Sequence, residues 1–154
     1  MRTILMLLVS VFSLTIFGCD GNAVFNEKVD SFENNRWQKD KSLDFSVDIE
    51  KTGVYSFDIF FSHIYDYQFA KVPLILELKY PDGHIEKDNV TIEIKDSDGK
   101  ETGDCSGDYC DLWHVIQPPK ALQPGHYEVK IVNDFGASYL PNILSVGLKV
   151  SAKK

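Results

Sequence analysis

A two-residue rhythm is the strongest constraint on what this chain can fold into. Leu43, Phe45, Val47 and Ile49 alternate without a break with Asp44, Ser46 and Asp48, the pattern of a β-strand with one face in a core and the other in water. Tyr55, Phe57, Ile59 and Phe61 repeat it after a turn at Lys51-Thr52-Gly53. Further strands are predicted over residues 72–80, 90–95, 126–132 and 143–150, with weaker ones near Trp37 and Trp113. Pro73 stands near the start of its strand, where a missing N–H is tolerable. Pro81-Asp82-Gly83, Asp96-Ser97-Asp98-Gly99 and Pro124-Gly125 supply the turns. No segment shows a helical period. The expected architecture is therefore all-β: a single antiparallel β-sandwich over residues 36–154, jelly-roll or immunoglobulin-like in type.

The N-terminus has a different character. Residues 4–17 form an almost unbroken apolar run behind Met1 and Arg2, the order of a secretory signal peptide. At ~1.5 Å per residue such a run covers roughly 21 Å, short of the about 30 Å needed to span a bilayer core, so cleavage is expected. Ile16-Phe17-Gly18-Cys19 resembles the bacterial lipobox, in which the cysteine is lipidated and becomes the new N-terminus. Residues 1–18 are accordingly read as a lipoprotein signal peptide. Residues 19–35, polar with isolated Val24, Phe25, Val29 and Phe32, are read as the lipidated Cys19 and a short tether. The expected membrane partner is reached through acyl chains, several of which make an anchor effectively permanent.

With Cys19 used by lipid, Cys105 and Cys110 remain, an even pair in an oxidising compartment, and are expected to form a disulfide. Loop-closure entropy for so short a loop gives only about 2 kcal/mol, enough to stiffen a loop rather than to hold a fold. Asp104, Asp108, Asp111 and His114 lie close in sequence, but C-x₄-C without a second Cys/His pair lacks zinc spacing, so no metal and no cofactor is predicted. Loss of the signal peptide leaves 15 basic against 23 acidic residues, a net charge of −8, with Arg36 as the only arginine. Such a surface repels phosphate and lacks guanidinium forks, which excludes nucleic acid as a partner.

Catalytic signatures are missing: there is no G-x-S-x-G, H-E-x-x-H, phosphate-binding glycine loop or dinucleotide fingerprint. His63, His84, His114 and His126 are scattered. Asp96-x-Asp98-Gly99 begins like a calcium loop, but its glycine comes too early and no bidentate glutamate follows. The chain is therefore read as a binding protein, not an enzyme. Its sharpest contact candidate is Ile64-Tyr65-Asp66-Tyr67-Gln68-Phe69. Tyr65, Tyr67 and Phe69 there either form an exposed contact surface or plug the end of the sandwich.

The order of lipobox, Trp37, the 43–49 strand, the Tyr55 strand, Tyr65-x-Tyr67, Tyr80-Pro81-Asp82-Gly83 and Asp88 resembles the gliding-motility lipoprotein GldH family of Bacteroidetes. The similarity continues through Asp98-Gly99-Lys100, Gly107-Asp108, Gly125-x-Tyr127 and Ile143-x-x-Val146-Gly147-Leu148, and departs at Ser62-His63, where the family commonly carries an Arg-Asn pair. The resemblance implies an accessory component of the gliding apparatus and its linked type IX secretion system, working within an envelope protein complex without enzymatic chemistry. A glycan- or peptide-binding envelope lipoprotein unrelated to motility is the alternative. The expected address is the outer membrane facing the periplasm, because Asp20 is not followed by the acidic run that favours surface export.

Overall fold

The computed structural model describes residues 22–154; the expected signal peptide, residues 1–18, and Cys19 lie outside the described residues. Eleven strands follow in order: β1 Ala23–Val29, β2 Arg36–Gln38, β3 Leu43–Ile49, β4 Gly53–Ile64, β5 Lys71–Lys79, β6 Ile85–Glu93, β7 Asp104–Ser106, β8 Tyr109–Leu122, β9 Gly125–Asn133, β10 Tyr139–Pro141 and β11 Ile143–Ala152. They build one sheet in the order β1-β11-β4-β8-β7, a second in the order β3-β9-β5-β6, and a small ribbon of β10 with β2. Every pairing is antiparallel. Successive long strands cross between the two sheets at every connection except the β5–β6 hairpin. That winding selects the jelly-roll type of sandwich over the immunoglobulin type.

The alternation read from the sequence becomes the core. Phe45, Val47 and Ile49 of β3, Leu74, Leu76 and Leu78 of β5 and Val129 and Ile131 of β9 point inward from one sheet. Phe57, Ile59 and Phe61 of β4 meet them with Val146, Leu148 and Val150 of β11 from the other. One flank is closed by Lys120 of β8, whose Nζ lies 2.8 Å from Glu86 Oε1 and 2.7 Å from Asp88 Oδ2 on β6.

The expected tether needs correcting. Ala23–Val29 is a full strand, paired with β11 from Ala23↔Ser151 to Val29↔Val146, and Phe25 packs edge-on against Phe45 at 6.1 Å. Phe32 likewise packs on Trp37, at 5.9 Å. Phe25, Val29 and Phe32 are thus one-sided edge contacts, and the sandwich begins some thirteen residues before the expected boundary at 36. Strand β8, anticipated only as a weak element near Trp113, runs for 14 residues. Its Pro118 and Pro119 are tolerated because only the three-residue β7 pairs with its outer side.

Register fixes two poles. At the near pole, where β1 begins, lie the end of β11, the 50–52 and 123–124 turns and the 80–84 turn, with Thr52 Oγ1 2.8 Å from Gln123 Oε1. At the far pole lie the 65–70 loop, the β7–β8 hairpin and the 134–142 segment.

Candidate docking surface

Strand β4 delivers its last residues to the far pole. His63 is fully buried there, and its Nδ1 lies 2.9 Å from the Ile64 carbonyl. A carbonyl only accepts, so Nδ1 carries a proton and donates this bond. Nε2 faces Glu101 Oε2 at 3.9 Å, while Glu101 Oε1 accepts the Tyr67 amide at 3.1 Å. The Tyr67 hydroxyl donates to the Pro141 carbonyl at 2.8 Å, and burial pushes its pKa well above the usual phenol range. The Tyr67 ring sits 4.9 Å from that of His63 and 5.6 Å from that of Phe69, which in turn packs on Phe135 at 4.6 Å.

Of the three aromatics proposed as contacts, then, two are plugs. Tyr67 is 1% exposed and Phe69 is packed against the core, whereas Tyr65 is 55% exposed. The split follows from Asp66, whose φ of +54° turns the chain between the two tyrosines so that one points out and the other in. Aspartate is among the residues that accept this left-handed conformation, and Lys95 holds its carboxylate at 2.9 Å.

Cys105 and Cys110 stand directly opposite each other in the β7–β8 hairpin and are joined by a disulfide. The Tyr65 amide donates to the Asp108 carbonyl at 2.9 Å. The exposed Tyr65 is thereby tied to the stapled hairpin that carries Tyr109. Among the described residues, one group of possible metal donors converges, namely His63, Glu101 and Cys110, within 4.8 Å of one another. The Cys110 sulfur is spent in the disulfide and offers no thiolate, which leaves two donors where protein zinc sites use three or four. Asp104, Asp108, Asp111 and His114 do not assemble as a donor group among the described residues. The other histidines are dispersed: His126 pairs with Asp48 at 2.8 Å on the surface, His84 stacks by Tyr80 in its turn, and burial lowers the pKa of His114.

Sequence reasoning missed the side chains that β8 presents. Tyr109, Trp113 and Val115 project from the outer face of the sheet at the period of two, with Tyr109 44% and Trp113 40% exposed. Trp113 is held on three sides. Phe60, its register partner on β4, lies 5.0 Å away ring to ring. Lys149 Nζ stands 4.7 Å from the indole, and Lys28 Nζ, 3.2 Å above the Phe60 ring, lies 5.5 Å from the indole. Lys149 is in turn 3.7 Å from Asp58 Oδ2. The period alone could not reveal this stripe, because Cys110-Asp111-Leu112-Trp113-His114-Val115-Ile116 is apolar on both faces. The arrangement offers aromatic area with polar edges and a fixed geometry, which is the chemistry of recognition rather than of bond making.

Comparison with known proteins gives this surface its context. The gliding motility lipoprotein GldH homolog of Christiangramia forsetii is 27% identical, with 97% of each chain covered. Among solved structures, a family 35 carbohydrate-binding module from Clostridium thermocellum superposes with a TM-score of 0.37 at 13% identity, over 82% of this chain and 99% of the module. That superposition is too loose to bear on fold or ligand. The GldH lipoprotein family matches residues 24–150, from the first strand through nearly all of the last, and the chain belongs to that family.

Proposed function

We propose that this chain is a non-catalytic docking lipoprotein of the gliding apparatus and its associated type IX secretion system. In this reading acyl chains on Cys19 hold it at the outer membrane, facing the periplasm, and a partner in the envelope complex binds the outer face of β8 and the adjoining far pole. The observation that carries the reading is the stripe of Tyr109, Trp113 and Val115 on a rigid sheet, with Tyr65 on the adjoining loop, in a member of a motility lipoprotein family. Tyrosine and tryptophan on pre-ordered backbone are the residue types that dominate binding energy at interfaces. Family membership supports the envelope address and the absence of enzymatic chemistry in the proposal.

Crosslinking in intact cells followed by recovery of the chain tests this. A Tyr109→Ser/Trp113→Ser/Val115→Ser variant keeps its β-type circular dichroism and loses the crosslinked envelope partner. Recovery of the same partner in wild-type amount by a folded variant would overturn the assignment of this surface. For the anchor, Cys19→Ala is expected to move the chain from the membrane fraction to the soluble periplasm and to abolish metabolic palmitate labelling. Unchanged membrane association would remove Cys19 from the account.

A further inference from the structure

The two poles of the sandwich differ in their distance along the chain from Cys19, and that distance is short. Strand pairing starts at the first described residue: the Ala152 amide donates to the Asn22 carbonyl at 2.9 Å, and β1 begins at Ala23. Two residues, Asp20 and Gly21, separate Cys19 from Asn22, and the three Cα-to-Cα steps at ~3.6 Å each reach about 11 Å at full extension. The strand cannot peel away to lengthen the connection without losing its pairing to β11 through Val29 and the Phe25 contact with Phe45. We propose that the near pole of the sandwich, formed by the start of β1 and the 50–52, 80–84 and 123–124 turns, rests against the lipid bilayer and holds the far pole upright away from it. The proposal rests on the reading of Cys19 as the lipidated residue.

A second observation is independent of the tether. Among the described residues the exposed large apolar side chains are Val24, Val54, Tyr65, Ile85, Tyr109, Trp113 and Val115. Three of them, Val24, Val54 and Ile85, stand at the first or second residue of β1, β4 and β6, and register puts all three strand starts at the near pole. Aliphatic side chains at that end suit the boundary between headgroups and acyl chains. A domain lying on its side would instead press the β1 edge on the membrane, where Asn26, Glu27 and Lys28 are exposed and Val24 is the one exposed large apolar side chain among the described residues of that strand. Strand β4 runs from pole to pole in 12 residues. At ~3.3 Å each, this places Tyr65 and the disulfide hairpin about 40 Å from the near pole. The partner surface is then carried clear of the headgroups and meets the soluble part of an envelope protein.

The test uses the full chain in its own membrane. A benzophenone amino acid is placed in turn at Lys51, His84 and Pro124 of the near pole, at Tyr65 and Tyr109 of the far pole, and at Trp113 on the sheet face; all six positions are exposed. Cells grown in radiolabelled phosphate are irradiated, and light-dependent label on the chain reports attachment to a phosphate-bearing lipid, which the acyl chains of the anchor do not mimic. Label from the three near-pole positions and none from the other three is the expected result. Label from Tyr65, Tyr109 or Trp113, or from no position while the chain stays in the membrane fraction, would overturn the orientation. A chain that carries no palmitate label and fractionates as soluble with Cys19 intact would instead refute the anchor reading on which the orientation rests.

Discussion

Replacing Tyr67 with alanine should nearly unfold the domain, although Tyr67 lies two residues from a tyrosine whose loss should cost almost nothing. The Tyr67 ring fills the end of the sandwich between His63, Phe61 and Phe69, with centroid distances of 4.9, 6.5 and 5.6 Å. Cutting a buried aromatic to alanine costs roughly 3–5 kcal/mol through lost transfer energy and the cavity left behind. The Pro141 carbonyl loses its donor as well, which adds about 1 kcal/mol. Against a typical stability of 5–15 kcal/mol the sum is a large fraction of the whole. Tyr67→Phe isolates the hydrogen bond and should cost about 1–2 kcal/mol, while Tyr65→Ala, on an exposed side chain, should stay within roughly 0.5 kcal/mol. Urea unfolding followed by circular dichroism in the soluble Cys19→Ala background gives the midpoints. The order expected is wild type and Tyr65→Ala together, then Tyr67→Phe, then Tyr67→Ala far below. A Tyr67→Ala midpoint equal to that of wild type would refute the assignment of Tyr67 as a plug and return it to the docking surface.

Gly147→Ala should lower stability by about 1–3 kcal/mol and open β1, since a Cβ there would meet the Glu27 carbonyl oxygen at 2.6 Å; amide exchange in β1 that stays as slow as in β11 would count against it. Cys105→Ala/Cys110→Ala should still fold, with a loss near 2 kcal/mol in the unfolding free energy read by urea titration, and native protein should show no alkylatable thiol from this pair by mass spectrometry. Lys120→Met should cost about 1 kcal/mol at pH 7, because Glu86 and Asp88 lose the cation they share but keep access to water. Hydrogen bonds from Lys120 and then Tyr80 hold the Glu86 carboxyl below its ordinary pKa, so its contribution is present above about pH 4.3 and fades as pH falls through the lowered value. The gap between wild type and Lys120→Met should accordingly narrow between pH 5 and pH 3, and an undiminished gap at pH 3 would contradict the pairing.

Legibility in the sequence followed burial geometry. Strand β3 spans Leu43–Ile49, the same bounds as its alternation, because one of its faces is wholly core and the other wholly solvent. The turns were legible where local chemistry decides them: Gly83 and Gly99 take φ of +88° and +79°, and Asp96 Oδ1 accepts the amides of Asp98 and Lys100. Strand β1 was illegible because it is an edge strand whose partner, β11, lies more than a hundred residues away, and its exposed Asn26, Glu27 and Lys28 mask the pattern. Strand β8 failed for the opposite reason, with apolar residues on both faces and two prolines near its end. The aromatic loop could be read only as two alternatives, since a single left-handed residue, Asp66, sends the adjacent tyrosines to opposite sides and no period encodes that choice.

The β8 stripe has an advantage over the aromatic loop at residues 64–69 as a binding surface. A binding surface loses affinity in proportion to the side-chain freedom it must freeze. Tyr65 stands on a loop, ordered by one backbone bond to Asp108 and by the Asp66–Lys95 pair beside it. Trp113 is already fixed by Phe60 beside it and by Lys149 over its ring, and the strand beneath it is bonded to β4 from Gly53↔Leu122 to Ile64↔Tyr109. Little order remains to be imposed there when a partner arrives. Lys28 over Phe60 also joins the edge strand β1 to this patch. The segment that leads to Cys19, the proposed anchor, and the surface proposed for docking are therefore joined through one sheet, so in the proposed reading a pull on the anchor would reach a docked partner through strand pairing rather than through a flexible linker.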